Sequence, residues 1–187
     1  MSQNIIETVV TYLAMPAPPS HLPPMPSSPR LALMKAERIP VHFYRYLYAT
    51  VGGPWLWVER LQLDDAALAR RIHLEGIEIS VLYANGAPAG YYELDYRQPE
   101  RTNLAYFGLM PEWTGFRIGP WLLGSAIAAA FSRGAVEATV NTCTLDHPAA
   151  LPLYQKLVFS PVRRESRQLQ VPADMPIPRH IPARKAR

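Results

Sequence analysis

The chain has 187 residues, 49% of them hydrophobic, 18% charged and 10% aromatic, with a formal net charge of +4. That is enough apolar material for one domain with a buried core, and it excludes wholesale disorder. The lone cysteine, Cys143, excludes a disulfide framework and a cysteine-cluster metal site, and its apolar run ATVNTCTL predicts a buried, inert thiol.

In chain order, Asn4 to Leu13 is rich in Ile, Val, Thr and Tyr and reads as a first strand. No basic n-region precedes it and no run approaches the ~18 apolar residues of a membrane span, so a cytoplasmic protein with no membrane partner is expected. PAPPSHLPPMPSSP, Pro16 to Pro29, is too proline-rich for a helix or central strand and reads as an extended surface connector. RLALMKAERI reads as a second strand. PVHFYRYLYATVGG, between Pro40 and Gly52-Gly53, carries helix start and stop signals. A second helix, DDAALARRIHLEG, is capped by Asp64 and stopped by Gly76.

IEISVLYANG, APAGYYELDYR and TNLAYFGLM are three successive strands, the first two joined by a hairpin at Asn85-Gly86. A helix from about Ile118 to Ser132, the strand AVEATVNTCTL, the helix HPAALPLYQKL and the strand FSPVRRESRQLQVP complete the pattern. The tail ADMPIPRHIPARKAR is basic and reads as irregular, which leaves docking on another subunit, and so a homodimer, open. This order predicts an α/β fold of the α+β kind. Its mixed sheet has an antiparallel meander followed by a parallel strand–helix–strand crossover, unlike a doubly wound dinucleotide fold.

LMPEWTGFRIGPWLLGSAIAAAF places a glycine-containing loop between a strand and a helix. Gly115 and Gly119 do not fit the dinucleotide spacing, and no lysine follows Gly119 as a P-loop requires. What remains is either a plain loop or a turn whose N–H groups converge on phosphate oxygens, helped by the helix dipole and Arg117.

LAYFGLMPEWTGFRIGPWLL followed by TCTLDHPAALPLYQKLVFSPV resembles the two most recognisable segments of the GNAT superfamily of acyl-CoA-dependent N-acetyltransferases. The first resembles the acyl-CoA-binding strand, turn and helix. The second resembles the closing turn, tyrosine-bearing helix and strand. The resemblance covers a GNAT-like domain at 30–171, with an N-terminal strand and connector at 1–29 and a basic tail at 172–187. Several positions depart from the family pattern: its Gln/Arg falls on Thr114, its first motif glycine on Arg117, its Asn on His147 and a later glycine on Val158.

The resemblance implies a GNAT-like fold with helices on both faces of the sheet. It also implies an enzyme that carries acetyl from acetyl-CoA to a primary amine of a small molecule or peptide in a direct ternary complex, with no metal. The pantetheine arm would lie between LAYFGLM and VNTCTL against the backbone of Phe107 and Leu109, with an N–H near Leu109 or Met110 polarising the acetyl carbonyl. Gly115, Phe116, Arg117, Ile118 and Gly119 would hold the phosphates, and His147 would lie on the cofactor side. Tyr154, seven residues after His147, would be the general acid, against a simple core role for its ring.

The family's usual carboxylate positions fall on Asn103 and Thr142, so the base is sought among Glu93, His147, Asp146 and a water relay. Glu93 is the choice, because burial among tyrosines raises a carboxyl toward neutrality. Tyr44, Tyr48, Trp55 and Trp57 would form an acceptor wall suited to an apolar or cationic amine. Two other classes compete. One is a non-catalytic acyl-CoA-binding module. The other, nucleic-acid binding, is set aside because the tail has few cations and no aromatic residue for stacking.

Overall fold

The computed structural model describes residues 3–181 and 184–185. Its elements are β1 (Gln3–Met15), β2 (Leu31–Lys35), α1 (Val41–Gly52), α2 (Asp65–Ile72), β3 (Ile77–Ala84), β4 (Ala87–Gln98), β5 (Arg101–Leu109), α3 (Ile118–Phe131), β6 (Glu137–Cys143), α4 (Ala150–Lys156), β7 (Ser160–Pro172) and β8 (Arg184–Lys185). Short 3-10 turns at Gly53–Trp55 and Pro111–Trp113 follow α1 and β5. Local chemistry sets several boundaries. The Asp64 carboxylate accepts the Ala67 N–H at 2.7 Å and opens α2 as expected. Pro152 sits in the first turn of α4, where its missing N–H costs the helix nothing.

The strands form one sheet in the order β2-β3-β4-β5-β6-β1-β7, with β8 pairing β1 off that path. β5 and β6 are parallel, and the other paired strands are antiparallel. The meander is therefore β3–β4–β5, and the parallel crossover is β5–α3–β6. Side-chain alternation sends the two faces to different helices. Tyr92, Leu94, Leu104 and Val140 pack with Ile118, Leu122, Ile127 and Tyr154 of α3 and α4. Ile79, Val81 and Tyr91 pack with Tyr44, Leu47, Tyr48 and Leu68 of α1 and α2.

The N-terminal strand corrects the domain boundary. β1, expected ahead of the domain, lies inside the sheet between β6 and β7. It pairs Val10–Met15 with Ala138–Cys143 and runs against β7 along its whole length. Leu13 and Met15 enter the α3-side core. A strand's propensity is local but its choice of partners is not, so composition alone could not place it. The tail also docks on its own chain. Ile181 is buried with Ile6, Leu56, Val58, Leu145 and Val171, with Met175 and Ile177 packed alongside. The proline-rich connector runs over α3, where a Cβ on Gly124 would lie 3.0 Å from Pro23 Cδ.

If β1 is integral, truncating its core side chains is costly. Leu13 is 1% exposed, and Leu13→Ala should cost about 2–5 kcal/mol in urea denaturation, the range for a buried Leu→Ala change. A strand merely appended to the domain would show almost no loss.

Candidate active site

The site begins with an irregularity in β5. Glu93 of β4 faces Tyr106, but the next residue, Leu94, faces Leu104, so Ala105 is an extra residue in the strand. The β5–β6 ladder ends at the same level. It pairs Arg101–Leu104 with Glu137–Val140 and goes no further. Beyond that point β5 stays on β4 while β6 stays on β1, and the sheet opens into a fork.

Hydrogen-bond alternation fixes which backbone groups face the gap. The Met110 N–H donates to the Ala89 carbonyl at 2.9 Å. In an antiparallel ladder alternate residues bond across, so Gly108 and Tyr106 also point to β4, and Phe107 and Leu109 point the other way, into the fork. Phe107 and Leu109 are the two residues expected to meet a cofactor arm. The same alternation corrects Met110, whose N–H is already engaged and whose side chain is 0% exposed.

At one end of the fork lies the loop before α3. Arg117, its N-cap, has φ 60° and no side-chain cap, so the first N–H groups of the helix have no side-chain acceptor there. Gly115 also has positive φ (85°). Gly115, Arg117 and Gly119 border a cavity of about 1090 Å³ that runs through the fork to the α1 side of the sheet. A Cβ on Gly119 would make only ordinary contacts, 3.8 Å to Leu109 Cδ1 and Leu153 Cδ2. Of the other loop residues, expected to contribute backbone N–H groups, Ile118 has its side chain buried in the α3 core and Phe116 is 52% exposed beside Trp113.

Tyr154 and His147 border the same cavity. Tyr154 packs against Phe107 and Phe159, each 6.1 Å away, and burial, with the Asp146 charge behind it, pushes its phenol up. The hydroxyl therefore stays protonated at neutral pH. The His147 Nδ1 accepts the Ala149 N–H at 3.0 Å, and its ring meets Trp55 edge-on at 5.0 Å. His180 of the tail approaches Trp55 at 5.2 Å. Cys143 also borders the cavity, and burial raises its thiol.

On the α1 side the cavity meets a charge cluster. Arg60 Nη2 donates to Glu93 Oε1 at 2.7 Å, and the Tyr44 hydroxyl donates to Oε2 at 2.7 Å. The Arg60 guanidinium lies 5.2 Å from the Tyr106 ring centre and 5.8 Å from that of Tyr44. Burial raises the Glu93 carboxyl, and the Arg60 charge and the two hydrogen bonds offset part of that rise. Both oxygens are engaged and the residue is 0% exposed, so this carboxylate is a counter-ion for Arg60 and not the open base expected from the sequence. Tyr44 is corrected with it. Also 0% exposed, it is a core ring whose hydroxyl serves Glu93.

Comparison with known proteins gives these parts a family. The model of the acetyltransferase (GNAT) family matches residues 44–159. The chain belongs to the GNAT family. No curated protein matches it. A putative GNAT-family acetyltransferase from Novosphingobium aromaticivorans is 16% identical, with a TM-score of 0.59 over 91% of this chain and 67% of that one. A GCN5-related N-acetyltransferase from Sphaerobacter thermophilus is 14% identical, with a TM-score of 0.61 over 90% of this chain and 53% of that one. An aminoglycoside N-acetyltransferase solved in complex with CoA is 15% identical, with a TM-score of 0.55 over 72% and 90%. At such identities the likeness is one of fold. The chain spans about half to two-thirds of the length of the first two.

The match to the GNAT model ends at Phe159 and starts after β1 and β2, so the strand that fills the sheet between β6 and β7 lies outside it. Within the match, Trp55 and Trp57 border the cavity, and Tyr48 lies behind it, 1% exposed in the α1-side core. Trp57 is held from two sides: its indole N–H donates to Asp146 Oδ1 at 3.1 Å, and its ring lies so close to Gly52 that any Cβ there would overlap it. Asp146 also accepts from Thr142 Oγ1 and the Cys143 N–H, both at 2.8 Å, which makes it a brace for the end of β6. Sequence reading missed Glu59, Arg60 and Tyr106. The available signal was charge opposite charge: an Arg in the α1–α2 loop facing the Glu in β4.

Removing one partner of the buried pair should be far worse than removing both. Glu93→Ala is expected to lose about 3–5 kcal/mol, because Arg60 stays charged in a dry site. Arg60→Met combined with Glu93→Leu should recover most of that loss in the same denaturant titration. Additive losses would mean that the two side chains do not act as a pair.

Proposed function

We propose that the chain is an N-acetyltransferase that moves acetyl from acetyl-CoA to a primary amine of a small molecule or peptide in a ternary complex. The observation that carries this reading is the fork itself: backbone groups of Phe107 and Leu109 turned into a gap that is continuous with the α3 N-terminus at one end and an aromatic, charge-lined face at the other. A pantetheine arm is an amide-bearing chain and suits a missing-strand slot. A pyrophosphate suits the uncapped N–H groups of α3 with Arg117 beside them. Support also comes from the CoA complex of the similarly folded aminoglycoside acetyltransferase.

Bound acetyl-CoA would supply the activated acyl group as a thioester. The roles of this chain's residues follow from their placement. The N–H groups of Phe107 and Leu109 orient the arm and donate to the oxygen that gains charge as the amine attacks. Tyr154, kept protonated by burial, donates to the sulfur as the C–S bond breaks. The amine contributes its lone pair and releases its proton to water, since Glu93 is closed off and Asn103 and Thr142 cannot accept one. His147 holds Trp55 and the β6–α4 turn against the cavity. The atoms balance as N-acetyl amine plus free CoA thiol.

Acetyl-CoA at a hundredfold excess over its Kd should stabilise the fold by about 2.7 kcal/mol, read as a rise in Tm. Gly119→Val should reduce that rise while leaving the unliganded protein folded, because its Cβ meets nothing closer than 3.8 Å. No shift in the parent protein would overturn the cofactor assignment.

Tyr154→Phe should keep the Tm rise but lower kcat by roughly 10²–10⁴-fold, the usual scale of acid–base assistance. Equal turnover would leave Tyr154 as a core ring alone. The second reading, a non-catalytic acyl-CoA-binding module, is favoured by the lack of an open carboxylate at Glu93, Asn103 and Thr142. It is the correct one if acetyl-CoA binds but no free thiol is released with any amine in a panel of polyamines, amino acids, aminoglycosides and peptides.

A further inference from the structure

Carboxylates bordering the cavity differ in one respect. Glu93 is held by Arg60 and Tyr44. Asp95 is held by Arg97, with contacts of 2.6 and 2.9 Å, and Asp146 accepts from Trp57, Thr142 and the Cys143 N–H. Glu59 is exposed and borders the cavity. Its contact among the described residues is the Tyr106 hydroxyl at a long 3.5 Å. Of the arginines bordering the cavity, Arg60 is paired with Glu93, Arg97 with Asp95 and Arg167 with Glu165 at 3.3 Å. Glu59 thus has no ion pair among the described residues, and its charge is felt only at longer range, by Arg167.

Beside it stand three rings in mutual contact. Centroids are 5.6 Å apart for Tyr48–Trp57, 5.1 Å for Tyr48–Tyr106 and 5.2 Å for Trp57–Tyr106. Trp57 is pinned by Asp146 and Gly52, and the Tyr48 hydroxyl accepts the Arg60 backbone N–H at 3.4 Å. An accessible aromatic face plus an unpaired carboxylate is the chemistry that holds an ammonium or guanidinium group; here the accessible face is that of Trp57, since Tyr48 is 1% exposed and Arg60 already lies over Tyr106.

We propose that Glu59 and Trp57, with the Tyr48 and Tyr106 rings packed behind Trp57, form a cation subsite, and that the acceptor carries two basic nitrogens, one held there and the other acetylated. The second part rests on the acetyl-transfer reading above. A carboxylate in contact with an amine favours its protonated form, and an ammonium has no lone pair with which to attack. The nitrogen that Glu59 holds is therefore not the nucleophile. Tyr106 follows Ala105 directly, where β5 leaves β6, so the subsite adjoins the fork and a short spacer between the nitrogens suffices.

The subsite is tested without catalysis by calorimetric titration of the full chain with n-butylamine, a cation at neutral pH, and with 1-butanol, its neutral counterpart. The amine should bind at least tenfold more tightly than the alcohol, and Glu59→Gln should erase the difference without changing Tm, since Glu59 is exposed. Equal binding of the two, or an unaltered preference in Glu59→Gln, overturns the subsite. The acceptor class is tested with acetyl-CoA. The kcat/KM for 1,4-diaminobutane should exceed that for n-butylamine at least tenfold, and Glu59→Gln should remove that advantage. Equal kcat/KM for the two amines overturns the two-nitrogen acceptor. Amine binding that depends on Glu59, with no transfer to either amine, upholds the subsite and overturns both the two-nitrogen acceptor and the transfer reading beneath it.

Discussion

One extra residue in β5 organises the molecule. With Ala105 bulged out between the Leu104 and Tyr106 pairings, β5 cannot keep its register with β4 and also remain parallel to β6. It keeps β4. The gap left on the other side aims the Phe107 and Leu109 backbone into space that a sheet would ordinarily close. It also turns Tyr106 to the α1 face and Phe107 to Tyr154. A bulge re-aims side chains and ends pairing, and here both effects serve one cavity.

Around that gap the chain accepts local strain and buried charge. Leu56 and Arg117 have positive φ, 58° and 60°, at the two loops that border the cavity. Such conformations cost about 1–2 kcal/mol for residues other than glycine. The Arg60–Glu93 pair is more demanding, since each ion leaves water almost completely. Its geometry offsets part of that cost through a short contact, a second donor from Tyr44, and aromatic rings beside the guanidinium, while Arg60 Nη1 stays buried without a partner among the described residues. The result is a stiff floor beneath the aromatic corner, with the charges there already matched and Glu59 left outside the match.

Much of the fold was legible because its signals are local. The caps, the Asn85-Gly86 hairpin, the strand alternation and the prolines named the elements in the order in which they occur. Tyr154, His147 and the Gly115–Gly119 loop could be located because their spacing reflects the strand–turn–helix units that carry them. Two kinds of information were not local. The partners of β1 lie far along the chain, from Met15–Ala138 in β6 to Gln3–Pro172 in β7, and no feature of Gln3–Met15 selects them. Glu93 illustrates the other kind. Partial burial among tyrosines suggested a raised pKa, and the direction was right. The arginine that closes the carboxylate off, however, comes from a loop whose position depends on how α1 packs. For the same reason the aromatics singled out in the sequence divide: Trp55 and Trp57 border the cavity, whereas Tyr44 and Tyr48, one turn apart on α1, are core rings.

The position of β1 between β6 and β7 has a kinetic side. β1 pairs with strands that follow it much later in the chain, β6, β7 and β8, so that side of the sheet stays incomplete until those strands have been made. Contacts of that sequence separation require large loops to close before they yield any stabilisation, which slows folding. Meanwhile Ile5, Ile6, Val9, Val10 and Leu13 form an apolar, β-prone segment with no partner, the kind of transient species that invites misassociation during synthesis. The proline-rich connector behind it ends the apolar run at β1, and it holds β1 on a tether that resists helical collapse and passes over α3 on the way to β2.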